Sequence, residues 1–162
     1  MRLIVCIAVC LVSAGLGSVL TQPALRPWYA SLNKPRWTPP NWLFGPAWTI
    51  LFLAMAFAAW LVWRQSSLTA VTMRIFLLQL VLNVGWSALF FGLRSPGGAF
   101  VEIVLLWCGI LITTFAFGNI VPLAGWLMIP YLIWVVYAAA LNFAIWRLNS
   151  RSGPIRTPRI WQ

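Results

Sequence analysis

Five apolar runs, at residues 3–20, 46–63, 75–93, 99–117 and 123–146, take up most of the chain. Each comes close to the roughly 20 residues an α-helix needs to cross about 30 Å of hydrocarbon. Lipid offers no water to backbone N–H and C=O groups, so a spanning segment must close its hydrogen bonds internally. The runs therefore predict an all-α integral membrane protein: one domain over residues 1–148 that is a five-transmembrane-helix bundle, followed by a basic C-terminal tail over 149–162. The first run has a second reading, as a cleaved export signal, because Arg2 precedes it and Ser13-Ala14-Gly15 are small. It outruns the usual apolar region of about 7–15 residues, and no A-x-A site follows, so it is kept as a helix.

Local signals set the expected ends. Pro46 suits a first helical turn, where a missing N–H is harmless. Arg64 closes the second span, Arg74 and Arg94 bracket the third, Ser95–Gly98 reads as a turn, and Gly118-Asn119 with Pro122 separates the fourth from the fifth. Residues 21–44, rich in proline and holding Trp28, Trp37 and Trp42, form the one long connection. That aromatic content argues against disorder. An interfacial aromatic belt explains part of it; an ordered cap over one end of the bundle explains more.

Charge then excludes most function classes. Charged residues are 7% of the chain, against about 25% in soluble domains. The net charge of +10 comes from basic residues lying between apolar runs, with no basic patch interleaved with aromatics, so nucleic acid is not an expected partner. Three basic residues fall on the side of the N-terminus and eight on the other. By the positive-inside rule, the 21–44 connection and the C-terminus are expected in the cytoplasm. The chain has no histidine and one acid, Glu102. A protein-held metal, a His-ligated haem, a Ser-His-Asp triad and a carboxylate pair are therefore not expected. Cys6, Cys10 and Cys108 sit within apolar runs and read as inert thiols. Glu102, about one turn inside the fourth span, is expected to pair with Arg94 at the interface rather than to act as a relay.

Polar residues inside the spans mark inward faces. Gln79, Asn83, Trp86 and Phe90 recur at helical spacing on the third, and Tyr131, Trp134, Ala138 and Asn142 on the fifth. Amides are disfavoured in hydrocarbon without partners, so both stripes should face the bundle interior, as interhelical ties or as the wall of a site. Helix direction puts Trp48, Phe90, Ala138 and Asn142 in the half covered by the 21–44 connection. Such a cavity would suit a flat, mostly apolar ligand whose carboxylates meet Arg26, Lys34 and Arg36 at the mouth. Pro130 is expected to free the carbonyl of Trp126. Small pairs Ser13/Gly17 and Ala88/Gly92 permit close helix approach.

These residues carry a resemblance. Trp28-Tyr29, Leu32, Lys34-Pro35, Trp37, Pro39-Pro40, Phe44-Gly45-Pro46 and Trp48-Thr49 resemble the first-loop and second-helix signature of the TspO/translocator protein family, also called tryptophan-rich sensory proteins and peripheral-type benzodiazepine receptors. Gln79, Leu82-Asn83 and Trp86-Ser87 are similar to its third-helix motif. Pro130-Tyr131, Trp134, Tyr137-Ala138, Leu141-Asn142 and Trp146 are similar to its fifth. The resemblance implies a five-helix bundle, commonly a homodimer among membrane lipids, that binds protoporphyrin IX or a related tetrapyrrole and also isoquinoline-carboxamide and benzodiazepine ligands. Carried over residue by residue, the ligand-binding set would be Tyr29, Trp37, Pro39, Trp48, Asn83, Phe90, Trp134, Ala138 and Asn142. Trp48 and Trp134 match tryptophans implicated in light-dependent porphyrin degradation, and are the candidates for any catalysis. The expected role is a membrane sensor or regulator; the alternatives are tryptophan-mediated photo-oxidation of porphyrin, and porphyrin or lipid transport. One departure stands out. The tyrosine of the vertebrate cholesterol motif is here Phe143, ahead of Arg147, which argues for a bacterial source in the cell membrane, with the outer membrane as the other placement.

Overall fold

The computed structural model describes residues 1–65, 67 and 70–150; the expected basic tail lies outside them except for its first two residues. Five helices follow one another: α1 (Arg2–Ala24), α2 (Asn41–Gln65), α3 (Val71–Ser87), α4 (Pro96–Ile120) and α5 (Pro122–Ser150). Counting the π-helical turn Ala88–Gly92 that extends α3, all five are long and apolar enough to cross a membrane. A second π-helical turn, Leu25–Tyr29, extends α1. There is no strand among the described residues.

The helices overrun the apolar runs at most of their ends, because a run measures hydrocarbon depth whereas a helix continues into the interface. The expected 21–44 loop is therefore mostly helical. α1 and its π-turn carry the chain through Tyr29, and α2 begins at Asn41, leaving 32–40 as the irregular segment. Pro46 sits in the second turn of α2 rather than the first. Pro96-Gly97-Gly98 form the first turn of α4, capped by Ser95 Oγ accepting from the Gly98 N–H at 3.4 Å. The true turn is Leu93–Ser95, with Arg94 in the left-handed region at φ 52°. α4 breaks at Val121, which is extended, and Pro122 opens α5. α5 runs through Pro130 as one helix.

The five helices close a ring in the order α1, α2, α5, α4, α3. The core holds Met55, Ala56, Ala58, Ala59 and Val62 of α2 against Ile103, Leu106 and Ile110 of α4 and Met128 and Val135 of α5. Large apolar side chains such as Val12, Leu53, Val81, Leu105, Phe115 and Ile133 face outward, the shell a lipid-embedded bundle presents. Because lipid tails are as apolar as leucine, helix association rests on close packing and interhelical hydrogen bonds. At the α4–α5 seam a Cβ built on Gly125 would lie 2.8 Å from the Gly118 Cα, so the two backbones touch. Near the other end Asn142 accepts from Trp86 Nε1 at 3.1 Å and donates to the Pro96 carbonyl at 2.6 Å, joining α5 to α3 and α4.

Two stability outcomes follow. Asn142→Leu removes both ties and leaves the Trp86 N–H unpaired, lowering stability by about 1–3 kcal/mol in a thermal or denaturant unfolding series. Gly125→Ala forces the α4–α5 seam apart and lowers the unfolding midpoint, whereas Gly15→Ala and Gly45→Ala, whose added Cβ would meet nothing within 4 Å, do not.

Candidate functional site

A cleft of about 560 Å³ lies between α1, α2 and α3, in the half of the bundle nearest the 32–40 segment. Its inner wall is aromatic: Tyr29, Phe44, Trp48, Phe52, Trp86 and Phe91. Asn83 and Ser87 add polar atoms from α3, and among the described residues no charged side chain lines it. The α1 wall is small and weakly polar, with Gly15, Ser18 and Gln22. Trp42, Gly45 and Thr49 form the facing edge on α2.

The wall is held by ring contacts and one buried hydrogen bond. Trp48 packs against Tyr131 with centroids 6.1 Å apart, and Tyr131 accepts from Asn83 Nδ2 at 2.8 Å. Trp86 stacks on Phe90 at 5.5 Å, and Phe90 packs edge-on to Trp28 at 5.6 Å. Such pairs add about 0.5–1.5 kcal/mol each beyond buried area. Burial pushes the Tyr29 hydroxyl above the ordinary tyrosine range, and the neighbouring Tyr137 adds to the shift, so Tyr29 is neutral at physiological pH.

The residues singled out from sequence divide. Tyr29, Trp48 and Asn83 line the cleft. Phe90 lies behind Trp86, and Asn142 is buried in its clamp. Trp134 is separated from the cleft by Phe44, which lines it and packs edge-on against the Trp134 ring at 6.1 Å. Ala138 is partly buried against the core one turn beyond Trp134. Trp37 packs against Tyr137 at 5.6 Å, and its carbonyl accepts from the Tyr137 hydroxyl at 3.0 Å, which straps the 32–40 segment to α5. Pro39, partly buried, lies in the same segment. The strap is doubled where Asn149 bonds both the N–H and the carbonyl of Asn33. Both inward stripes do face inward: Gln79, Asn83, Phe90, Tyr131 and Asn142 are buried.

Sequence reasoning missed the α1 wall. The face made by Leu11, Gly15, Ser18 and Gln22 is legible as a helical stripe, but small residues there read equally well as a packing surface. Lys34 is also placed differently from its expected role at the mouth. Its ammonium donates to the carbonyls of Tyr29, Ala30 and Leu32 at 2.7, 3.3 and 3.2 Å and lies 4.8 Å from the Tyr29 ring centroid. It closes off the end of the first helical segment, where carbonyls lack partners. Arg26 and Arg36 remain exposed.

Glu102 is not paired with Arg94. It is buried, a Cβ built on Gly85 would lie 3.4 Å from its Oε1, and neither carboxyl oxygen has a hydrogen-bond partner among the described residues. With no ion pair to lose, Glu102→Gln should hold or raise the unfolding midpoint. A drop of several degrees would restore the Arg94 pairing.

The lipid-facing shell, the polar ties inside and the uncharged aromatic cleft together define a multi-pass integral membrane protein with an internal apolar cavity. The profile of the TspO/MBR family matches residues 6–147. The chain belongs to the TspO/MBR family. It is 44% identical over 153 residues to the tryptophan-rich protein TspO of Chlorobaculum tepidum, covering 92% of this chain and 96% of that one. It is 39% identical over 126 residues to the human translocator protein, covering 75% of each. It is 38% identical over 131 residues to the tryptophan-rich sensory protein of Cereibacter sphaeroides, covering 80% of this chain and 82% of that one.

Proposed function

We propose that this protein is a membrane sensor or regulator that binds a flat, mostly apolar tetrapyrrole, protoporphyrin IX or a close relative, in the α1–α2–α3 cleft. The observation that carries the reading is the cleft itself: about 560 Å³, aromatic on its inner wall and, among the described residues, free of charged side chains. Small-molecule sites run to about 300–1,000 Å³ with few polar groups, and this cavity falls in that range. A porphyrin offers two broad π-faces to Trp48, Phe44 and Trp86, and its propionates lie along one edge. Gln22 and Asn41 sit at the open end of the cleft, and Arg26 is exposed four residues beyond Gln22, a polar end for an acidic edge. The sensory role rests on the name borne by the Cereibacter sphaeroides relative. Benzodiazepine and isoquinoline-carboxamide ligands, flat and uncharged, suit the same wall.

Direct contacts are assigned to Tyr29, Trp48 and Asn83, with Trp134 acting through Phe44. Titrating detergent-purified protein with protoporphyrin IX and following porphyrin fluorescence tests this. Trp48→Ala should weaken binding roughly tenfold, about 1.4 kcal/mol, and Trp134→Ala by clearly less. Wild-type affinity in Trp48→Ala would remove the cleft from consideration.

A second reading is light-dependent degradation of the bound porphyrin, favoured by the Trp48 indole standing in the cleft wall. Illumination of the complex should then yield a defined product that is lost in Trp48→Phe. Bleaching at the rate of free porphyrin in detergent would reduce it to a side reaction.

A further inference from the structure

We infer that the cleft is loaded sideways, from the hydrocarbon of the bilayer, through a slot between α1 and α2 whose edges are Gly15 and Gly45. The identity of the guest rests on the binding reading above; the opening itself does not.

The cleft lining divides into a buried wall and an exposed rim. On α1 the rim is Gly15, Ser18 and Gln22, on one helical face; on α2 it is Trp42, Gly45 and Thr49, again on one face. The two stripes confront each other across the cleft, and all six residues are exposed. Small residues normally mark places where helices touch. Here they do not. A Cβ built on Gly15 or on Gly45 meets no atom within 4 Å, whereas one on Gly17, two residues along, would lie 3.3 Å from Ser87 Oγ. So α1 rests on α3 at Gly17, and its neighbouring face stands clear of α2.

Polar ties fall away along the same edge. α1 is joined to α2 at the far end, where Arg2 Nη1 donates to the Trp63 carbonyl at 2.9 Å. Beside the cleft, Thr21 and Thr49 turn their hydroxyls back to Gly17 and Gly45 of their own helices at 2.7 and 2.9 Å. α1 is also the least buried of the five spans.

Depth places the Gly15 end of this rim within lipid and its Gln22 and Trp42 end at the interface. Gly15 is five residues before the end of the first apolar run at residue 20, about 8 Å along the helix axis and so inside the hydrocarbon of about 30 Å. Its neighbours Val12, Leu16 and Val19, and Ile50 and Leu53 across on α2, are large, apolar and exposed. The end that faces water is strapped instead, by Asn149 to Asn33 and by Tyr137 to Trp37. Polarity rises along the slot from Gly15 through Ser18 to Gln22 and Asn41. An amphiphile with one acidic edge already lies that way in a leaflet, with its polar edge at the interface. It can move in from the side without turning over. The slot therefore fits a guest dissolved in the membrane.

The test uses full-length protein in vesicles. Protoporphyrin IX is presented from a second vesicle population, and binding and release are followed by stopped-flow fluorescence for wild type, Gly15→Leu, Gly45→Leu and Asn149→Ala. Both leucine variants should keep the wild-type unfolding midpoint and slow binding and release at least tenfold; Asn149→Ala should leave both rates unchanged. Wild-type rates in the leucine variants, or faster entry in Asn149→Ala, would overturn the slot in favour of entry beneath the strap. A second arm needs no porphyrin. Gly15→Cys, in a background with Cys6, Cys10 and Cys108 replaced by alanine, carries a small fluorophore challenged with acyl-chain-brominated lipid and with aqueous iodide. Quenching by the lipid places the opening in hydrocarbon, and quenching by iodide alone refutes it. If wild type fails to bind protoporphyrin IX while the label is lipid-quenched, the guest is wrong and the opening stands.

Discussion

The carboxamide of Asn142 sets the geometry on which the cleft depends. It lies 1% exposed between the Trp86 indole and the Pro96 carbonyl and so locks α3, α4 and α5 together at one level. In hydrocarbon such ties average about 0.6 kcal/mol and reach about 1.7, but position matters more than energy here. By bonding Trp86, the clamp holds that ring against Phe90, and through it the aromatic wall that faces α1. Asn83, one turn away on the same face of α3, bonds Tyr131, which backs Trp48. Asn142 thus fixes the inner wall from behind, and Asn83 from within it.

Among the described residues the opposite side has no comparable anchor at that level. α1 and α2 meet firmly where Arg2 reaches Trp63 and separate toward the other end, where Gly15 and Ser18 face Gly45 and Thr49. Rigid aromatics opposite small residues leave a volume that neither side can fill. Native interiors are close-packed, with few voids larger than a water molecule, so a space of about 560 Å³ is a departure with a cause. The cause is composition: Gly15 and Gly45 stand where larger side chains would have room.

The sequence made some of this legible and hid the rest. Span count and inward faces were readable because polarity has one meaning in hydrocarbon: an asparagine or glutamine in an apolar run must find a partner inside. Gln79, Asn83 and Asn142 obeyed. The α1 wall was not readable, because a glycine on a helix is silent about whether a neighbour touches it or space lies beside it. Gly125 and Gly15 look alike in sequence and are opposites in structure. Pro23, Pro27 and Pro35 made residues 21–44 look like loop, yet Pro23 lies inside α1, where a first-run helix continues toward the interface. Nor does spacing announce a π-helical turn: Ala88–Gly92 has the residues of an ordinary helix end, and the Leu93 N–H bonding the Ala88 carbonyl at 2.8 Å belongs to the wider winding.

Charge was legible in placement and misleading in role. Lys34 and Arg2, counted first as topology signals, are also engaged with backbone carbonyls, and Arg64 lies over the Trp60 ring at 5.0 Å. A cation at the membrane surface serves orientation and helix ending at once, since a helix C-terminus carries partial negative charge. That leaves the inner wall free of charged side chains among the described residues. On the proposed reading, a guest with ionised groups enters only as far as its apolar part extends, its charged edge held at the interface beside Gln22 and Asn41. The same exclusion of charge that lets five helices stand in lipid therefore decides which end of an amphiphile the cleft admits.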